Sequence, residues 1–153
     1  MLYFADKKWW DWHRERPEFQ SFAGEKCTVF TTGHEVDDPE IAMLRNAGVE
    51  GVSADPYAIR TGSNSGHQAL NIAILAGGNP IILVGYDAKD SAKGRKHFFG
   101  DHPDKTQPPY QNMIRELRHA KAAIDALGVR VINVTPDSAL DMFERMTLAE
   151  ALA

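Results

Sequence analysis

Cysteine is almost absent from this sequence. Cys27 is the only one among 153 residues, so no internal disulfide forms and no oxidising compartment is needed to hold the fold. No apolar run approaches the ~18 residues of a membrane span, and the opening MLYFADKKWW lacks the charged-then-apolar order of a signal peptide. No transmembrane segment and a cytoplasmic location are therefore expected. An excess of one charge is also missing. Seventeen Lys and Arg against 21 Asp and Glu leave a net charge of −4, which gives no general attraction to nucleic acid or anionic membranes. Internal repeats, low-complexity tracts and linkers are lacking as well. What remains, 43% hydrophobic residues with three tryptophans, describes a single globular domain over residues 1–153 with enough chain to bury a core.

Short β-rich runs alternate along the chain with helical patterns. LYFA, CTVFTT, VEGVSA, IILVGY and VRVINV are the strand candidates. Segments 7–16, 39–48, 66–78 and 108–128 carry helix formers, and a last helical pattern runs from about Ala139 to the C-terminus. The alternation predicts an α/β fold, Rossmann-like, with a mostly parallel sheet of about five strands flanked by helices. IILV has no polar alternation and reads as a central strand buried on both faces. Helix 66–78 is apolar on nearly every side and reads as interior, whereas helix 108–128 carries Arg115, Glu116, Arg118, His119 and Lys121 on an outer face.

The stretch TGSNSG, residues 61–66, precedes the interior helix. In an open parallel sheet, ligands bind beyond the carboxyl ends of the strands, where helix N-termini present unpaired N–H groups. Ser65 alone serves as a helix cap, with Gly62 and Gly66 in the turn. Thr61, Ser63, Asn64 and Ser65 nevertheless supply four polar side chains where a cap needs one. Gly85 and Asp87 end the apolar strand, and the carboxylate suits a ribose hydroxyl or a metal, or simply terminates the strand.

The long segment from Asp87 to Pro109 contains KGRKHFFGDHPDK, with Lys93, Arg95 and Lys96 before His97, and Asp101 and His102 after two phenylalanines. A loop of about twenty residues in a compact domain is functional or disordered. Cations there suit phosphate, or form a solvated loop pinned by Phe98 and Phe99. His97 and His102 match zinc spacing poorly, so no structural metal is expected. In KKWWDWHRER, Trp9, Trp12 or His13, and Arg16 share a helical face while Trp10 points elsewhere. These side chains stack on a base or sugar or, more often, pack in a core or subunit contact.

The residues then carry a resemblance. SGHQALNIAILAGGNPIILVGYD resembles the segment of bacterial lipooligosaccharide sialyltransferases and their Rossmann-like relatives in which Ser-Gly opens a buried helix and a strand ends in Gly-x-Asp. HFFGDH is similar to a His-aromatic-x-Gly-His element of those enzymes, and VRVINVTPDSALDMF resembles their final strand followed by a Pro-x-Ser-x-Leu turn. Motility-accessory proteins and archaeal pterin diphosphokinases share this scaffold. The resemblance covers roughly Thr61 to Phe143 and implies a nucleotide-sugar-dependent glycosyltransferase taking a CMP-sugar donor. By this likeness Ser65 and Gly66 contact the donor nucleotide, and His102, with one residue inserted before it, matches the catalytic base. Lys89 or Arg95 would stabilise the leaving nucleotide phosphate.

The departures are specific. Those transferases open with a strand and a Gly-Asn-Gly-Pro-Ser-like turn for the phosphates, and this chain begins after that unit. Asn64 stands where they have threonine, Lys89 falls near a tyrosine position, and the loop between Asp87 and His97 is shorter than theirs. Three readings stay open: a fragment of a longer transferase, a shortened relative without catalysis, or a domain completed by a partner. The alternatives in function are a non-catalytic accessory or assembly protein and an ATP-dependent diphosphokinase with magnesium at Asp87. Loss of a central βα unit would uncover apolar surface, so a homo-oligomer or cover by the terminal helix is expected, with Trp9, Trp10 or Trp12 near the contact.

Overall fold

The computed structural model describes residues 1–30, 36–90 and 109–153. It begins with β1 (Leu2–Phe4) and α1 (Lys7–His13), a helix capped by the Asp6 carboxylate, which accepts from the Lys8 N–H. A single turn, α2 (Pro17–Gln20), starts on Pro17, whose missing N–H costs nothing at that position. The strands β2 (Lys26–Phe30), β3 (Ile41–Asn46) and β4 (Ala58–Ile59) follow. Then come α3 (Ser65–Leu75), β5 (Ile81–Leu83), α4 (Tyr110–Ala126), β6 (Val131–Asn133), β7 (Glu144–Arg145) and α5 (Leu148–Ala151).

The fold is α/β, and every strand pairing is parallel. The strands form two sheets where the sequence predicts one of about five: β1-β2-β3-β4 and β5-β6-β7. Three local expectations are corrected. Residues 39–48 form no helix, because β3 pairs along its length with β2, from Lys26 opposite Ile41 to Phe30 opposite Arg45. Ladder pairing there outweighs the helix propensity of Ala42, Met43 and Leu44. VEGVSA is no strand, since Gly48 and Gly51 both take positive φ, +108° and +78°, and break the run; the chain pairs only at β4. No long helix begins at Ala139. Asp137 at φ +54° turns the chain, and the Arg145 guanidinium then donates to the carbonyls of Ser138 and Leu140. Leu140 and Phe143 drop into the core from an irregular segment.

The sheets are packed by different chemistry. Over the first, Phe4 stacks on Trp10 with ring centres 5.4 Å apart, and Phe19 meets both edge-on. Trp10 is the buried tryptophan of α1, while Trp9 stacks on His13, so these rings pack the N-terminal unit. The helix ends at His13, which takes Arg16 off the face shared by the tryptophans. Around the second sheet the core is aliphatic, with Leu70, Leu83, Ala120, Ile124 and Leu140 at its centre.

Helix α3 lies between the two, and its interior face differs from expectation. Its most buried residues include His67, Gln68 and Asn71 beside Leu70. Asn71 is fully enclosed, and both ends of its amide are bonded: Oδ1 accepts from the amides of Ser53 and Arg60, and Nδ2 donates to the Ser53 carbonyl. Gln68 Oε1 accepts from the Tyr3 hydroxyl at 2.9 Å. Through Gln68 and Asn71 the helix thus binds its surroundings by hydrogen-bonded amides, as their burial requires. Among the described residues no helix is long and apolar enough to cross a membrane.

Candidate functional site

The carboxyl end of β5 opens into a cleft of about 260 Å³. Its wall brings together Asn64 and Gly66 at the start of α3 with Gly85, Asp87 and Lys89 after β5. These five come from two sequence regions singled out for a ligand. The others of that set stand apart from the wall. Thr61 is buried, its hydroxyl 3.5 Å from the Gly48 carbonyl oxygen; Ser63 is exposed at φ +55°; Ser65 is exposed at the first position of the helix. His102 and Arg95, with Lys93, Lys96, His97 and Asp101, lie outside the described residues.

The helix cap is Asn64, in place of the expected Ser65. Asn64 Oδ1 accepts from the His67 N–H at 2.8 Å and Nδ2 donates to the Gly62 carbonyl at 2.8 Å. Gly62 takes φ +50°, and a Cβ there would fall 2.1 Å from the His67 ring, so the turn admits only glycine. With the Gln68 amide on the Asn64 carbonyl, two amides of the first turn are taken. Those of Ser65 and Gly66 have no protein acceptor among the described residues.

Helix α4 reaches the same cleft. Tyr110, Met113 and Leu117 line it, and its N-cap, Pro109, makes no side-chain hydrogen bond to the first turn. The amides of Tyr110, Gln111 and Asn112 are likewise without a protein acceptor among the described residues. The starts of two helices therefore line one cavity, each with donors unpaired among the described residues and the positive end of a dipole. Lys89 adds a cation with no ion pair among the described residues.

Carboxylates balance this charge. The Tyr110 hydroxyl donates to Asp90 at 2.8 Å. Desolvation, followed by the bond to Asp90 and the charges of Asp90 and Asp87, pushes its phenol up to about 12. No group of three or more His, Cys, Asp or Glu is placed to hold a metal among the described residues. The arrangement can bind an anion at the helix ends, accept hydrogen bonds from hydroxyls at Asp87, and pack an apolar or aromatic group against Met113, Leu117 and Leu140.

Sequence reasoning missed the apolar wall and Tyr86. That residue is half-buried, and its phenol donates to the Gly66 carbonyl at 2.9 Å. Its own amide donates to Thr135 Oγ1, and its carbonyl accepts from Ser138 Oγ. Asn133 Nδ2 also donates to Ser138 Oγ, and the Ala139 amide donates to the Asp87 carbonyl. The segment NVTPDSA, legible only as a strand and turn, is the support on which the loop after β5 rests. A signal was present, since Asn, Thr and Ser at the end of an otherwise apolar strand are costly to bury unless bonded.

No family model, no curated protein and no solved structure matches this chain.

Proposed function

We propose that the cleft binds a phosphorylated nucleoside, and that the chain is a nucleotide-sugar-dependent, glycosyltransferase-like domain on a Rossmann-like scaffold. One observation carries this reading: two helix N-termini whose first amides have no protein acceptor among the described residues, a lysine and a glycine-lined turn meet at the carboxyl end of a parallel strand. That is the place and the chemistry for a phosphate in an open α/β sheet. The volume, about 260 Å³, is small for a ligand cleft and suits one nucleoside phosphate better than an entire sugar nucleotide. The base would lie on the apolar wall, Asp87 would accept from ribose hydroxyls, and the phosphate would sit on the Ser65 and Gly66 amides.

In the transfer reaction, the bond from the sugar's anomeric carbon to the nucleotide phosphate breaks as the acceptor oxygen attacks. Lys89 lies where it would neutralise charge growing on the departing phosphate. His102 is proposed as the base that takes the acceptor proton, with Arg95 as a second phosphate cation. Losing such a base lowers rates by roughly 10²–10⁴-fold, so His102→Ala should abolish most transfer while leaving donor binding intact.

Calorimetric titration separates the readings. CMP binding, weakened at least tenfold by Lys89→Ala, supports a sugar-nucleotide donor. Binding of ATP only with magnesium, lost in Asp87→Asn, would replace it with pyrophosphoryl transfer. Failure to bind any nucleotide would leave an accessory role.

A further inference from the structure

The phenol of Tyr86 touches the first turn of α3 at the residue whose amide is offered to the cleft. Its ring lies against Gly66 so closely that a Cβ on Gly66 would stand 3.1 Å from Tyr86 Cε1 and 3.2 Å from Asn64 Oδ1. Its hydroxyl donates to the Gly66 carbonyl oxygen, the acceptor for the fourth residue onward in the helix. Its backbone is fixed on both sides, by Thr135 Oγ1 at the amide and Ser138 Oγ at the carbonyl. One residue thereby joins the loop after β5, the start of α3 and the turn after β6.

We infer that Tyr86 is a positioning residue: it sets the direction of the Ser65 and Gly66 amides and ties the helix start to the loop after β5 that carries Asp87 and Lys89. This rests on the ligand reading above. The alternative for such a phenol is plain core packing, but its partner argues against that. A hydroxyl shielded from water takes an acceptor; here it takes the helix carbonyl beside amides that have no protein acceptor among the described residues. Burial pushes the phenol up to about 12, so it remains a donor at any physiological pH. A Cβ at residue 66 would crowd the ring and the Asn64 cap, which would have to give by a few tenths of an ångström.

The test separates the ring from the hydroxyl. Tyr86→Phe retains the ring and removes the donor; Gly66→Ala retains the donor and pushes on the ring. Amide hydrogen exchange is measured on both variants without ligand, and affinity for CMP is measured by calorimetry. A lost hydrogen bond corresponds to about a two- to tenfold effect. Tyr86→Phe should accelerate exchange at the His67, Gln68 and Leu70 amides by about that factor while Ile124 in α4 is unchanged, and should weaken CMP by a similar factor. Gly66→Ala should reproduce the pattern. Unchanged exchange at residues 67–70 in Tyr86→Phe overturns the tether. Faster exchange with unaltered CMP affinity overturns its role in ligand positioning. If the unaltered protein binds no CMP, the ligand reading fails along with that role, whereas the exchange data still decide the tether separately.

Discussion

The carboxyl ends of β1 and β5 begin alike, each an apolar three-residue parallel strand running into a loop before a helix, and they finish differently. After β1 the chain supplies its own anion: Asp6 caps α1 and accepts from the Lys8 amide, and the space left beside Phe4 and Trp10 is only about 10 Å³. After β5 the loop rises around about 260 Å³, and the α4 turn beyond it has no side-chain cap. A negative cap and an aromatic seal close the first end, while the second leaves helix donors without a partner among the described residues beside a cavity. The difference is why the proposed ligand is placed at the second end, where the helix starts have fewer partners among the described residues.

The sharpest way to break this contrast is to remove the seal. Trp10→Ala should cost about 3–5 kcal/mol, as large aromatic truncations in a core do, because the stacked Phe4 and the edge-on Phe19 lose their partner together. Denaturant unfolding measures the loss. Nucleotide affinity of the remaining folded fraction should be unaltered, since no residue of that cluster lines the cleft. A weakened affinity would show that the two strand ends act as one site.

The next effect tests the helix shared by both sheets. Asn71→Ala strands the Ser53 and Arg60 amides and the Ser53 carbonyl inside the protein, at about 1–3 kcal/mol for an unsatisfied buried group. A total loss of about 2–4 kcal/mol is expected in thermal or denaturant unfolding. A loss under about 1 kcal/mol would mean that water replaces the amide without strain.

Legibility in the sequence followed period and composition. The parallel α/β class, α3, α4, β5 and β6 were readable because apolar runs of the right length alternate between turn residues. The 39–48 region was not, because IAMLRN satisfies helix and strand propensities equally and only the ladder to β2 decides. The cleft was half legible. Asn64, Gly66, Gly85, Asp87 and Lys89 could be found from glycine and polar residues at an element boundary. Tyr86, Met113, Leu117 and Leu140 could not, because apolar and aromatic residues look alike whether they line a cleft or fill a core. Helix α3 read as interior on its apolar residues alone, whereas its most buried positions include His67, Gln68 and Asn71, whose partners at Gly51, Tyr3, Ser53 and Arg60 are remote in sequence and could not be read from it.

His67 makes that buried polarity measurable through pH. Its ring is fully enclosed, and Nε2 donates to the Gly51 carbonyl at 2.7 Å, whereas Nδ1 has no partner among the described residues. Desolvation lowers its pKa, against smaller opposing effects of the Gly51 bond and the Glu116 charge. The folded state therefore binds this proton less readily than the unfolded chain, whose histidine titrates near ~6.5. Its contribution to stability is complete above about pH 6.5 and is lost as pH falls from there through the lower folded pKa. The slope of unfolding free energy from this group should not exceed about 1.4 kcal/mol per pH unit. It should disappear in His67→Gln when unfolding is compared at pH 7.5 and 5.5, beyond any slope from the other groups. A slope unaltered by the substitution would place the acid sensitivity elsewhere.

The smallest expected effect is the most discriminating between a cap and a contact. Asn64 carries the cap by geometry, accepting from the His67 amide and donating to the Gly62 carbonyl, so Asn64→Ala should cost about 0.5–2 kcal/mol. Ser65 is the next residue, exposed, with no side-chain hydrogen bond among the described residues and no place on the cleft wall. Ser65→Ala should change stability by no more than about 0.5 kcal/mol, the usual range for such surface positions. If its backbone amide alone meets the ligand phosphate, CMP affinity should move by no more than about twofold, the same free energy expressed as binding. A tenfold loss of affinity at constant stability would instead show the serine hydroxyl on the ligand, moving the phosphate outward from the cleft toward the tip of α3. A stability loss equal to that of Asn64→Ala would return the cap to Ser65 and undo the assignment of free amides on which the comparison of the two strand ends depends.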